Sequence, residues 1–302
     1  MQQEAQPHAE GTKSLTDSIC PNIKRKNILK NLKMSKLSML SCLFVLIMIG
    51  QSMAQPSDST RWKLDWEDDF SFLDESRWSV LNYAAHGKEL QLYMADNVWA
   101  EDGNLVIRLN NRPVECLPEK NWVAVNSCEL CKQGVYPYSS GWVETKKSYY
   151  RKYGYIEARI KCPYRRGLWP AFWTFIGMGI PDASNYAEID IFELYGHKRP
   201  NHVETNIHLV YEPGTFTKNL QEHNLKKFSY VNWHTYAIEW DSTKIVWYID
   251  NQPIRTTYNH GVVDPVRIIF NMAVQTKRRL QPRKKSYFEE KMYVDYIRVY
   301  KL

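Results

Sequence analysis

The chain has 302 residues, 40 Lys and Arg against 33 Asp and Glu, and a formal net charge of +7. That length holds one large all-β domain or two smaller ones, and the excess of charge sits at the front. Residues 1–54 carry seven of the basic and three of the acidic residues, so the remainder is close to balanced at +3, which gives no argument for nucleic acid.

Residues 1–33 are polar and basic without periodicity, fitting a disordered leader or a start codon assigned too early, with Met34 as the true start. Met34-Ser35-Lys36 then precedes an apolar run from Leu37 to Gly50, too short to span a bilayer as an ordinary helix. Ser52 and Ala54 supply small residues at the −3 and −1 places of a signal-peptidase site. The expectation is a signal peptide over 34–54, cleaved after Ala54, and a secreted or periplasmic protein without stable membrane insertion. An uncleaved anchor is the alternative. Cys42 lies at the front of the apolar run, the wrong place for lipoprotein modification.

From Trp62 onward the chain reads as short strands separated by turn residues. Leu64 and Trp66 alternate with polar neighbours, and Asn104–Leu109 follows the turn Glu101-Asp102-Gly103. Cys116, Cys128, Cys131 and Cys162 come next; in an exported protein a disulfide within 116–131 is favoured over zinc, and Cys162 is expected to be buried. Tyr155–Lys161 alternates over its whole length. Gly167-Leu168-Trp169-Pro170-Ala171-Phe172-Trp173 places Trp169 and Trp173 on one face if extended, where flat sugar faces can stack. Further on, His234–Trp240 and Lys244–Asp250 flank Asp241-Ser242-Thr243 as a hairpin, and Arg267–Ala273 and Met292–Tyr300 complete the set. No linker or internal repeat divides 55–302, which is expected to be one domain, a β-sandwich, and a monomer.

The chemistry is expected at Glu188-Ile189-Asp190-Ile191-Phe192-Glu193, where three carboxylates stand among apolar residues. In a strand Glu188 and Asp190 share a face, but plain alternation sends Glu193 to the other. One β-bulge near Ile191 or Phe192 resets the parity and lines all three acids along one wall. Two facing carboxyl groups are what glycoside hydrolysis needs, one attacking or activating water while the other, protonated, delivers a proton to the leaving oxygen. A merely solvated acidic edge is the competing reading, and Val, Thr or Lys would fill such an edge more comfortably.

This hexapeptide resembles the E-x-D-x-x-E signature of glycoside hydrolase family 16, in the bulged form of its laminarinase-, agarase- and carrageenase-like members. The resemblance runs through Trp66-Glu-Asp-Asp-Phe70, Lys88-Glu-Leu-Gln-Leu-Tyr93, Ser140-Gly-Trp-Val-Glu-Thr145, Tyr153–Lys161, Leu168–Trp173 and Val294-Asp-Tyr-Ile-Arg-Val-Tyr300. It implies a jelly-roll β-sandwich of two curved antiparallel sheets with a concave substrate cleft, and endo-acting, retaining hydrolysis of a β-linked polysaccharide. By position it makes Glu188 the nucleophile, Glu193 the general acid/base and Asp190 the supporting residue between them. It also suggests His208 and Asn271 as substrate-binding residues, and Asp295 as a ligand of a structural calcium with backbone oxygens of Asp69 and Gly103. No cofactor is needed for the chemistry.

The expected substrate is a β-1,3-glucan of laminarin type. The sequence departs from the glucan-cleaving pattern at Val274–Lys285, where six basic residues fall within 277–285. That loop keeps open a sulfated galactan such as agar, porphyran or carrageenan, or a host galactose-containing glycan. A non-catalytic carbohydrate-binding protein has no need of Glu188 and Glu193 together, while a transglycosylase would use the same residues.

Overall fold

The computed structural model describes residues 61–84, 89–115, 134–176, 186–210, 216–283 and 286–302. Two large sheets make up the fold, as alternation along the chain requires: each strand has one apolar face, and burying it calls for a second layer. In the first sheet the spatial order is Phe216–Lys218, His202–Val210, Tyr186–Glu193, Leu168–Ile176, Arg267–Val274, Trp142–Thr145 and Trp78–Val80, with Gln221–Asn224 also paired to His202–Val210. The second runs from Gln252–Tyr258 through Lys244–Ile249, His234–Trp240, Gly154–Lys161, Glu289–Lys301 and Asn104–Asn110 to Tyr138–Ser140, Gln91–Tyr93 and Tyr83–Ala84. Pairing is antiparallel except between Gln91–Tyr93 and Tyr138–Ser140, which run parallel. Among the described residues helix is limited to single 3₁₀ turns such as Ala95–Asn97 and Arg278–Leu280, and no helix could cross a membrane.

The two sheets meet through their apolar faces. Phe172, Phe192, Phe270 and Met272 of the first pack toward Ile156, Ala158, Tyr236, Ile238 and Trp247 of the second, all buried. Phe192 and Tyr236 approach to 4.5 Å between ring centroids across the layers, and Phe172 stacks on Phe270 at 4.7 Å. The expected hairpin is present: the Asp241 carboxylate accepts from the backbone N–H groups of Thr243 and Lys244 at 2.8 and 2.9 Å, which closes the turn between the two strands. Cys162 is buried and unpaired. Cys116, Cys128 and Cys131 lie outside the described residues, as do residues 1–54 with the expected leader and signal peptide.

Asp295 lies on the second sheet, next to a register shift in the pairing of Gly154–Lys161 with Glu289–Lys301. Its carboxylate is ion-paired with Arg159 at 2.5 Å, while the Asp69 carboxylate accepts from the Ser71 N–H at 3.0 Å. A calcium ion at Asp295 would therefore share that carboxylate with a guanidinium.

Candidate active site

The acidic strand spans Tyr186–Glu193, between Leu168–Ile176 on one side and His202–Val210 on the other. Glu188 faces His208 and Asp190 faces Asn206, but the next matched pair is Glu193 with Glu204, so three steps on the acidic strand answer two on its neighbour. On the other side Phe172 pairs with Phe192 and Trp173 with Asp190, again one residue short. This is the β-bulge that the spacing predicts. Ile189 and Phe192 go into the core, and Glu188, Asp190 and Glu193 share the opposite face.

A bulge leaves ladder groups without partners, and a buried carbonyl needs a donor. The Asp190 carbonyl finds one in the second sheet, where the Trp247 indole N–H donates to it at 2.8 Å. The deformation in the acidic strand is thus held from behind by a residue of the other layer.

Around the acids the neighbouring strands supply one aromatic wall and a set of polar side chains. Both the Trp169 indole N–H and the Tyr195 hydroxyl donate to the same oxygen of Glu193, Oε1, at 2.9 Å each. His208 Nε2 lies 3.4 Å from Asp190 Oδ2 and 3.5 Å from Glu188 Oε1, and also takes the Asn206 amide at 2.7 Å. Trp173 donates to Asn271 at 2.8 Å, and Asn271 donates in turn to the Tyr93 hydroxyl at 2.9 Å. Trp142 stands edge-on to Trp173 at 5.3 Å, and Phe175 continues the wall to Tyr186 at 4.9 Å.

Glu188, Asp190, Glu193, Trp169, Trp173, His208 and Asn271 are therefore all brought to one face of the first sheet, and Asp295 is not. Trp142, Tyr186, Tyr195 and Phe175 belong to the same surface without having been singled out in the sequence. A signal was available for two of them: Trp142 alternates with Glu144, and Phe175 continues the Trp169, Ala171, Trp173 parity by one more step.

Electrostatically the row resists full ionisation. Burial, then the Asp190 charge, pushes the Glu193 carboxyl up to about 8, outweighing the Tyr195 hydrogen bond that favours the charged form. Burial and the charges of Asp190 and Glu193 likewise hold Glu188 well above the usual carboxylate range, so the row keeps a proton at neutral pH.

The basic loop is anchored beside the Glu193 end of the row. Gly167 adopts φ +88° and a Cβ there would strike Pro282, so the loop lies directly on the turn that leads into Trp169. Arg166 donates to the Arg279 carbonyl across the same contact. Lys284 and Lys285 lie outside the described residues.

The profile of glycosyl hydrolases family 16 matches residues 86–297. The chain belongs to this family. The catalytic domain of an endo-1,3-beta-glucanase (laminarinase) from Thermotoga petrophila RKU-1 is 28% identical and superposes with a TM-score of 0.65, covering 80% of this chain and 98% of that one. Clotting factor G alpha subunit of Tachypleus tridentatus is 28% identical over 275 residues, 85% of this chain, and glucan endo-1,3-beta-glucosidase A1 of Niallia circulans is 29% identical over 288 residues, 83% of this chain. The chain spans only 36% and 40% of the length of these two relatives. Its two sheets are the family 16 jelly roll.

Proposed function

We propose that this family 16 protein is a secreted, retaining endo-β-glycanase that cleaves a β-1,3-glucan of laminarin type through a covalent glycosyl-enzyme. The observation that carries the reading is the bulged row itself, three acids brought to one face, where burial and mutual charge keep a proton in the row at neutral pH. Glu188 is the nucleophile, attacking the anomeric carbon as the glycosidic bond breaks. Glu193 gives its proton to the departing oxygen, then takes one from the water that releases the sugar. Two donors occupy Oε1 of Glu193, which leaves Oε2 to carry that proton. Asp190, hydrogen-bonded to Glu188, positions it. The chemistry needs no cofactor, and a calcium at Asp295 would serve the fold alone. The signal-like segment 34–54 supports export, and the Thermotoga petrophila and Niallia circulans relatives, named for 1,3-β-glucan, support the substrate.

The basic loop favours a second substrate reading. Arg278 and Arg279 form a 3₁₀ turn next to Arg166 and Gly167, at the Trp169 end of the row, where a sulfated galactan would find cationic partners. Reducing-end release from laminarin, agar, porphyran and carrageenan at low and high salt separates the two. Release from laminarin that is insensitive to salt supports the glucanase. Release confined to sulfated chains and suppressed by salt would replace it with the galactan reading. No release from any polysaccharide, with binding intact, would leave a carbohydrate-binding protein.

Catalysis by Glu193 requires its proton, so kcat/KM is expected to fall as pH rises through about 8. The same shift acts on stability with a definite sign. Folding raises this carboxyl from 4.5 to about 8, so its contribution favours the fold fully below pH 4.5 and is lost as pH climbs through about 8. A pH–rate profile flat from 6 to roughly 9.5 would contradict the role given to Glu193.

Trp173 is the sugar-stacking residue in this reading. Trp173→Ala is expected to raise KM about tenfold, the loss of about 1.4 kcal/mol of aromatic contact, with a smaller change in kcat. Trp173→Phe should recover most of the loss. Unchanged KM in Trp173→Ala would return this residue to a purely structural role beneath Asn271.

A further inference from the structure

A second cluster on the same sheet face is built in a way the glycosidase chemistry does not use. His202 and Glu204 stand two apart on the strand His202–Val210, so their side chains share a face, and Glu222 on the edge strand Gln221–Asn224 lies directly opposite Glu204. The three donors converge: His202 Nε2 is 3.1 Å from Glu204 Oε1 and 3.6 Å from Glu222 Oε2. Four-coordinate ions with bonds of about 2.0–2.1 Å hold neighbouring ligand atoms about 3.3 Å apart, between these two values.

The far side of the imidazole is also arranged. His202 Nδ1 lies 3.2 Å from Asn224 Oδ1, its cross-strand partner. With Nδ1–H donated to that amide oxygen, Nε2 turns a lone pair toward two carboxylates, and three electron-rich atoms face one another. A cation between them would satisfy all three at once, where the Lys198 ammonium meets only the Glu222 oxygen. A neighbour that fixes the second ring nitrogen is what metal-bound histidines ordinarily have. His208 differs, because the Asn206 amide reaches its Nε2 at 2.7 Å. His202 and Glu204 are 3% and 7% exposed, so the pair is nearly dry, while Glu222 is open to solvent and gives a path of entry. Lys198 Nζ is 3.4 Å from that same Glu222 oxygen, on a half-buried side chain that has to swing aside for an ion to enter.

We propose that His202, Glu204 and Glu222 bind a divalent transition-metal ion of the zinc type, with an open fourth position on the face that carries the acidic row. One imidazole and two carboxylates suit zinc or cobalt better than calcium, which asks for six or more oxygens. The site stands beside Glu193, whose register partner is Glu204. It does not depend on which polysaccharide is cut.

The test uses the full chain, stripped by chelator and titrated with Zn²⁺ by calorimetry and with Co²⁺ by visible absorption. The expected result is one zinc per chain and the intense cobalt bands of a four-coordinate site. Binding should disappear in Glu222→Gln, weaken about 10- to 100-fold in Asn224→Ala, and persist in Asp190→Asn, with each variant shown to be folded by circular dichroism. Absence of saturable zinc binding overturns the site, because a proton on His202 would then be the cation between the carboxylates. Zinc binding that survives Glu222→Gln, or is lost in Asp190→Asn instead, also overturns it by moving the ion elsewhere.

Discussion

Glu188→Gln is expected to lower kcat on the polysaccharide substrate by on the order of 10⁴-fold or more while leaving substrate binding in place. The amide keeps the shape and the neighbours of the carboxylate but cannot displace the leaving sugar. It also removes one negative charge from a crowded row, so the folded protein should be at least as stable as the wild type. Burial first, and then the charge of Asp190, push Glu188 upward, and a neutral amide at this position avoids both costs. Reducing-end assays give the turnover, and affinity electrophoresis in polysaccharide gels gives the binding. Wild-type turnover in this variant would remove Glu188 from the mechanism.

Glu193→Ala should cost about 10²- to 10⁴-fold on the polysaccharide, whose leaving alcohol needs a proton. On an aryl glycoside with a strongly acidic phenol as leaving group, formation of the glycosyl-enzyme should be nearly unaffected, since that group departs without help. Azide then serves as the test of assignment. In Glu193→Ala it attacks the glycosyl-enzyme and yields the β-glycosyl azide; in Glu188→Ala it would enter the vacated side and yield the α-anomer. The opposite pairing of anomers with variants would exchange the two roles.

The strands were legible because their alternation is clean. His234–Trp240 matches its expected limits, and Tyr155–Lys161 and Arg267–Ala273 each extend by one residue. The bulge was legible for the same reason, since three acids among apolar residues satisfy only one parity. What the sequence hides are contacts that depend on register between distant strands. Trp247 and Asp190 are 57 residues apart, and nothing local marks the indole as the donor for that carbonyl. The Arg159–Asp295 pair spans 136 residues and arises beside a register shift that no composition signals. Tyr195 was hidden in another way: it follows the acidic strand as an ordinary aromatic, and only its hydroxyl on Glu193 gives it a place in the site.

The Trp247 contact to the Asp190 carbonyl separates two kinds of heritable variation. The 277–283 loop, proposed to meet sugar, lies apart from the paired strands that hold the acids and can vary without disturbing their spacing. The spacing itself is recorded on the reverse layer, in an indole that never meets a substrate. A change of substrate preference can therefore be confined to the loop surface, whereas Trp247→Phe, which removes the donor to the Asp190 carbonyl, is expected to lower turnover on every substrate alike.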